Sequence, residues 1–326
     1  MTKQAPFVRP DVRAFLDYLN ALPGPKTHEL EPPAARALFK AMRDLADPPV
    51  GELALVKELT IPGLAGDIPA RLFDARESRE PGPVVVFFHG GGFVIGDVDT
   101  HAGFCAEMSR QLGLPVVSVE YRLAPEHRWP AAPDDCEAAA RWVAGSPAEL
   151  GRRATSLVLC GDSAGGTLTI VTAVALRDDP AAAPVIAQAT IYPAADMNED
   201  HPSFAEFSDG YLLTRDAMLW FRDAYAADLQ HMRGSPMRGS LAGLPPAVVI
   251  TAGLDPIRDQ GRAYAAALAQ AGVPVTYREA AGNIHGFVTL RKAIPSSVGD
   301  VAGYLAALKA VVAEAEANRV MAQAAG

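Results

Sequence analysis

The sequence predicts an α/β fold with a mainly parallel sheet and helices on both faces. Two observations predict it. From about Glu52 onward, short apolar runs alternate with Ala-rich helical stretches, as in a sheet built from strand–helix–strand units. Most of these runs are continuously apolar rather than alternating, which is what strands buried on both faces require. A chain of 326 residues can bury one large core of this kind and still carry a smaller appended part.

Taken in order, runs at 53–61 and 68–73 are separated by Gly63, Gly66 and Asp67 and read as a β-hairpin with a longer loop. Six more runs follow at 84–88, 116–119, 157–160, 187–192, 247–251 and 275–279. Helical stretches lie between them at 134–144, 164–176 and 259–271, the last stopping at Gly272, a natural helix-ending residue. Another helix is expected to begin near His101, N-capped by Asp99 or Thr100. The 275–279 run falls near the end of the sheet, where an outer strand exposes unpaired N–H and C=O groups.

Two segments break the alternation. Residues 1 to about 50 hold helical pieces bracketed by Pro23, Pro25, Pro32, Pro33, Pro48 and Pro49. Residues 196–243 carry Phe204, Phe207, Tyr211, Leu212, Leu213, Trp220, Phe221 and Tyr225, a high aromatic density for a connection between two strands. Such a segment can pack helices onto the core, roof a pocket, or do both; long insertions in compact domains are often functional.

The bulk numbers exclude several classes. Hydrophobic residues make up 49% and charged residues 21%, ordinary globular values. A net charge of −9 gives no support to a nucleic-acid partner, which needs a basic patch. No apolar run reaches the roughly 20 residues that cross a bilayer, and positions 1–10 lack the apolar stretch of a signal peptide. Cys105, Cys136 and Cys160 are odd in number and have no CxxC spacing. Free thiols in a reducing compartment are therefore expected, and a cytoplasmic location with them. Cys136 and Cys160 read as small buried apolar residues.

Four elements carry chemistry. Gly161-Asp162-Ser163-Ala164-Gly165-Gly166 follows one apolar run directly and leads into a helical stretch. A serine hydroxyl becomes a good nucleophile only when a base removes its proton, and it must stand clear of its own backbone. A strand–turn–helix elbow achieves that, with glycines where the turn is tight. His89-Gly90-Gly91-Gly92-Phe93 ends another run. Consecutive glycines let backbone N–H groups approach a developing oxyanion; the expected donors are Gly91, Gly92 and Ala164, with Gly90 shaping the loop and His89 anchoring it. Asp255-Pro256-Ile257-Arg258-Asp259 and His285-Gly286-Phe287 follow the last two runs. All four therefore lie where parallel strands deliver their sites, in the chain order Ser, Asp, His. Ser163 is expected as nucleophile, His285 as general base and Asp255 as its orienting acid. Asp259, four residues on, is expected on the helix beside Arg262, and Asp162 is expected to point away from the nucleophile. The spacing of Asp97, Asp99 and His101 suggests a metal site, but helix capping accounts for it better, and no metal is expected.

Together, His89–Phe93, Tyr121-Arg122-Leu123-Ala124-Pro125-Glu126, Gly161–Gly166, Asp255–Asp259 and His285–Phe287 resemble the bacterial hormone-sensitive-lipase-like (family IV) carboxylesterases, in their GDSAG branch. The resemblance implies an eight-stranded α/β-hydrolase fold with a helical cap made from residues 1–50 and 196–243, leaving 51–195 and 244–326 as the core. It also implies no cofactor and a small-molecule ester substrate with a short to medium acyl chain. A homodimer formed through an outer strand is expected as well. Phe93, Tyr211, Leu212, Ile257 and Phe287 are expected to line the pocket, with Phe7, Phe15 and Tyr18 also in the roof. Phe93 stands where Trp is frequent in the family and Ile257 where Leu is; Asn283 is also less usual, and the sequence gives no account of it. The same triad permits hydrolysis of amides, carbamates or lactones, or acyl transfer, and the fold has been reused for small-molecule receptors.

Overall fold

The structure, a computed structural model, describes residues 5–325; positions 1–4 of the expected cap segment and Gly326 lie outside the described residues. Each of the eight apolar runs is a strand: β1 (Leu55–Gly63), β2 (Gly66–Asp74), β3 (Gly82–Phe88), β4 (Val116–Val119), β5 (Ala154–Asp162), β6 (Val185–Ile191), β7 (Ala247–Leu254) and β8 (Val275–Ile284). They form one sheet in the order β1-β2-β4-β3-β5-β6-β7-β8. β2 is antiparallel to both β1 and β4, and every other neighbouring pair is parallel. This is the α/β-hydrolase architecture that the resemblance implies.

The described helices are α1 (Pro10–Ala21), α2 (Pro32–Ala46), α3 (Ala102–Leu112), α4 (Ala131–Ala144), α5 (Ala164–Asp178), α6 (Pro202–Glu206), α7 (Arg215–Tyr225), α8 (Arg258–Gln270) and α9 (Ser297–Ala325). The period-two geometry of the central strands divides the apolar side chains between two layers. Val84, Val86, Phe88, Leu157 and Leu159 face α4, α5 and α8. Val85, Phe87, Val158 and Cys160 face α3 and α9. All three cysteines are free and buried, and burial pushes their thiols above the ordinary value.

Three local expectations are corrected. The hairpin turn is short: β1 and β2 pair through Gly63 and Gly66, leaving only Leu64 and Ala65 between them. β8 continues past Glu279 to Ile284, because a register irregularity between Ala252 and Leu254 lets the weakly strand-forming Ala280-Ala281-Gly282 stretch stay beside β7. Neither Asp99 nor Thr100 caps α3, whose N-cap position is His101 with no side-chain cap. Thr100 instead closes a turn with Asp97, the Thr100 amide donating to the Asp97 carboxylate and the Asp97 amide to the Thr100 hydroxyl.

Candidate active site

The ends of β3, β5, β7 and β8 meet at one point. β5 runs to Asp162 and α5 starts at Ala164, so Ser163 alone makes the turn, at φ 54°, ψ −117°. A residue with a Cβ is strained there and stays only if its surroundings hold it. Its amide donates to the Ile191 carbonyl (2.9 Å) and its carbonyl accepts from Thr167 (3.2 Å). The flanking glycines are required by contact: a Cβ on Gly161 would lie 2.2 Å from the Gly165 carbonyl oxygen, and one on Gly165 would lie 1.9 Å from that of Phe88.

Asp255, fully buried just beyond β7, accepts the Ile257 amide on Oδ1 (2.9 Å) and meets His285 Nδ1 on Oδ2 (2.7 Å). His285 Nε2 lies 2.9 Å from Ser163 Oγ. With Nδ1–H donating to the carboxylate, Nε2 is free to accept the serine proton. Asn283 now has an account. Its Nδ2 donates to Ser297 Oγ (3.0 Å) and Asp300 Oδ2 (2.8 Å), and its Oδ1 accepts the Ile284 amide (2.9 Å). That ties the approach to His285 onto α9.

The glycine loop is braced from beneath. Asp162 accepts the Gly90 amide (2.7 Å) and lies 3.3 Å from His101 Nε2, so it faces the loop and not His285. Burial works against its charge, but His101 and the Gly90 amide hold its carboxyl below the ordinary range. The Tyr121 hydroxyl donates to the His89 carbonyl (2.7 Å) and its ring stacks on His89 at 4.3 Å. Burial and nearby His101 pull His89 down to about 4, so its imidazole is neutral. The Gly91 carbonyl accepts from Val94 (3.0 Å) and Ile95 (2.9 Å), which closes the turn. Gly91, Gly92, Ala164, Ser163 and His285 all border one cavity of about 270 Å³.

That cavity is mainly apolar. Phe93, Leu212 and Ile257 line it, together with Phe204, Leu213, Phe221 and Tyr225. Tyr211 and Phe287 do not. Tyr211 packs edge-on against Phe207, and fully buried Phe287 packs edge-on against Tyr192 behind His285. Phe207 fills a small cluster with Val12, Leu16 and Leu254 rather than the roof. The N-terminal aromatics are also placed elsewhere: Phe7 and Tyr18 are exposed and Phe15 packs into that same cluster. Phe39 and Met42 of α2 line the cavity in their place. They lie on the stripe Ala35-Phe39-Met42-Ala46, whose helical spacing was the available signal.

Residues 85–289 match a family model described as the α/β-hydrolase fold. Esterase LipI of Mycobacterium tuberculosis is 39% identical over 283 residues, covering 85% of this chain and 88% of that protein. An ethyl acetate hydrolase of Pseudomonas putida is 35% identical, covering 87% and 92%. The solved structure of an ester hydrolase from the metagenome of Lake Arreo superposes with a TM-score of 0.89 at 36% identity, covering 93% and 98%.

The chain belongs to the α/β-hydrolase family. Within it, the chain is a hormone-sensitive-lipase-like carboxylesterase.

In this esterase the Asp97-Asp99-His101 spacing serves structure. Asp97 closes its turn with Thr100, Asp99 pairs with Lys40 and Arg71 (2.8 Å), and His101 meets Asp162. Asp259 likewise pairs with Arg258 (2.8 Å) and Arg262 (3.1 Å) and accepts the Ser203 amide (3.0 Å). Glu120 accepts the Val98 amide (2.7 Å), steadying the chain beyond the glycine loop. Burial, opposed by that bond and reinforced by Asp97 and Asp99, pushes its carboxyl up from 4.5 to about 7. Between those values the folded state holds a proton that the unfolded chain has lost, so stability falls as pH rises through the window. Glu120→Gln keeps an acceptor and removes the titration. The melting temperature of the variant relative to wild type is expected to climb from pH 5 to pH 8; parallel curves would show that Glu120 titrates normally.

Proposed function

We propose that this carboxylesterase works through an acyl-enzyme on Ser163, with His285 as general base and Asp255 orienting it. The observation that carries this reading is the continuous chain from Asp255 through His285 to Ser163, at 2.7 and 2.9 Å, opening into an apolar cavity beside Gly91 and Gly92. His285 takes the Ser163 proton as the hydroxyl attacks the ester carbonyl. The amides of Gly91, Gly92 and Ala164 stabilise the oxyanion, and His285 then protonates the leaving alcohol. Water repeats the cycle on the acyl-enzyme. Residues 1–50 and 196–243 act as the cap, since α2 and α7 both contribute walls to the cavity.

The substrate class is esters with a short to medium acyl chain. Phe204, Leu212, Leu213 and Phe221 line the cavity, and on this reading the acyl group packs against them. Each buried methylene contributes up to about 0.8 kcal/mol until that space is full. The test is kcat/KM on p-nitrophenyl esters from acetate to palmitate, below micelle formation, with matched amides alongside. A maximum between about four and eight acyl carbons is expected from that per-methylene value, with amides far slower. A maximum at palmitate would point to an open groove, and faster amide turnover to a different acyl class.

β8 is the outer strand beside β7, and Tyr277 on it is 40% exposed. Such an edge invites pairing with a second copy, and we expect a homodimer through it. Light scattering at micromolar concentration should give twice the chain mass; a monomer there removes the idea. The three buried free thiols support the expected cytoplasmic location.

A further inference from the structure

We propose that Phe221 and Tyr225 of α7 are positioning residues that hold the Gly92-Phe93 step in the conformation that aims the oxyanion amides. The inference rests on the reading of Gly91 and Gly92 as oxyanion donors.

The bracing from beneath stops short of this step. Asp162 and Tyr121 fix residues 89 and 90, and the Gly91 carbonyl is taken by Val94 and Ile95. Gly92 and Phe93 follow, both left-handed, at φ 59° and 64°. Phenylalanine resists that conformation, so something must hold it. The Ala124 amide donates to the Phe93 carbonyl (2.9 Å), which leaves the placement of the Phe93 ring to its packing.

α7 supplies the missing constraint from above. The Phe93 ring, only 4% exposed, stacks on Tyr225 with centroids 3.8 Å apart and planes 4° from parallel. The Phe221 ring covers Gly92 so closely that a Cβ there would fall 2.3 Å from its Cγ. Residues 221 and 225 are four apart and project from one side of the helix, so the pair grips two consecutive loop residues at once. α7 is itself fixed at both ends. Thr214 Oγ1 accepts the Ala217 amide (3.2 Å), and the Tyr225 carbonyl accepts the Trp129 amide (3.1 Å). The 196–243 insertion therefore reaches the reaction centre through two rings, besides walling the acyl pocket. Oxyanion donors act only when fixed at the right distance before reaction.

A wall role and a positioning role predict different kinetics. The variants are Phe221→Leu, Tyr225→Leu and Tyr225→Phe, with Ser163→Ala as control. Leucine keeps an apolar wall and removes the ring. On p-nitrophenyl acetate, which barely fills the acyl space, both leucine variants should lose about 10–100-fold in kcat, up to the scale of one oxyanion donor. KM should move little, and the loss should be the same factor for acetate and hexanoate. Phosphonate inactivation should slow in parallel. Tyr225→Phe keeps the ring and should restore kcat, because the Tyr225 hydroxyl has no hydrogen-bond partner among the described residues. Circular dichroism checks that each variant is folded. If Tyr225→Leu fails to fold, Phe221→Leu decides, since Phe221 is only half-buried. Unchanged kcat on acetate, or a KM effect that grows with acyl length, would overturn the clamp while leaving the triad reading intact. Turnover that persists in Ser163→Ala would instead overturn the underlying reading.

Discussion

Ser163→Ala should lower kcat by about 10⁶-fold, on the scale seen when a serine nucleophile is removed from a working triad, while the protein stays folded. The geometry makes this a clean experiment. Ser163 Oγ lies 2.9 Å from His285 Nε2, so truncation removes the nucleophile and the base's proton source in one step. Alanine keeps the Cβ, so the strained turn at φ 54° is unchanged. The brace from the Ser163 amide to Ile191 is backbone and survives. What remains is the oxyanion and binding contribution, roughly 10³–10⁴-fold over water. Because the triad acts as a unit, Ser163→Ala/His285→Ala should be no slower than Ser163→Ala alone. Turnover within tenfold of wild type in a preparation free of contaminating esterase would move the nucleophile elsewhere.

The parts of the molecule legible in the sequence are those set by local chemistry. Most of the strands are readable because strands covered on both faces are largely apolar, as β5 and β7 are. Their ends are not. β8 stays beside β7 by bulging: between the Ala252–Ala280 and Leu254–Ile284 pairs it holds three residues against Gly253 alone, a property of the pair and not of either run. The elbow and the glycine loop were readable because close approach demands glycine whatever surrounds it. The pocket walls were harder. Tyr211 and Leu212 are adjacent and equally apolar in character, yet Leu212, at φ 71°, lines the cavity while Tyr211 packs on Phe207. Composition gives the kind of residue in an insertion but not the direction of each side chain, which irregular backbone decides. Contacts between distant segments left no sequence trace at all. Asn283 finds its purpose on α9, and Phe221 finds Gly92 across more than a hundred residues of chain.

Such a distant contact carries the largest expected effect on stability. Asp47 follows α2, and Arg291 follows the His285 loop. Asp47 accepts three bonds from Arg291, from Nε (2.8 Å), Nη2 (2.7 Å) and the backbone amide (3.2 Å). Both residues are buried, at 3% and 6% exposure. Beside them the Ala46 carbonyl accepts the amides of Lys292 (2.9 Å) and Ala293 (3.0 Å), so the N-terminal segment is stitched to the chain that leaves His285. A buried pair is not strongly stabilising against an apolar replacement, but removing one partner strands the other charge in a poor solvent. Asp47→Ala should therefore cost about 3–5 kcal/mol and lower kcat/KM with it, as the segment carrying His285 loosens. The double variant Asp47→Ala/Arg291→Met removes the stranded guanidinium along with the carboxylate and should recover more than half of the loss. Urea unfolding of wild type, both single variants and the double closes the cycle. If the double variant is no more stable than Asp47→Ala, the stranded charge is not the cause, and the cost lies in the lost bond to the Arg291 amide. If Asp47→Ala unfolds like wild type, the stitch does not hold the N-terminal segment in place, and α2 must keep its position over the cavity through the apolar contacts of Phe39 and Met42.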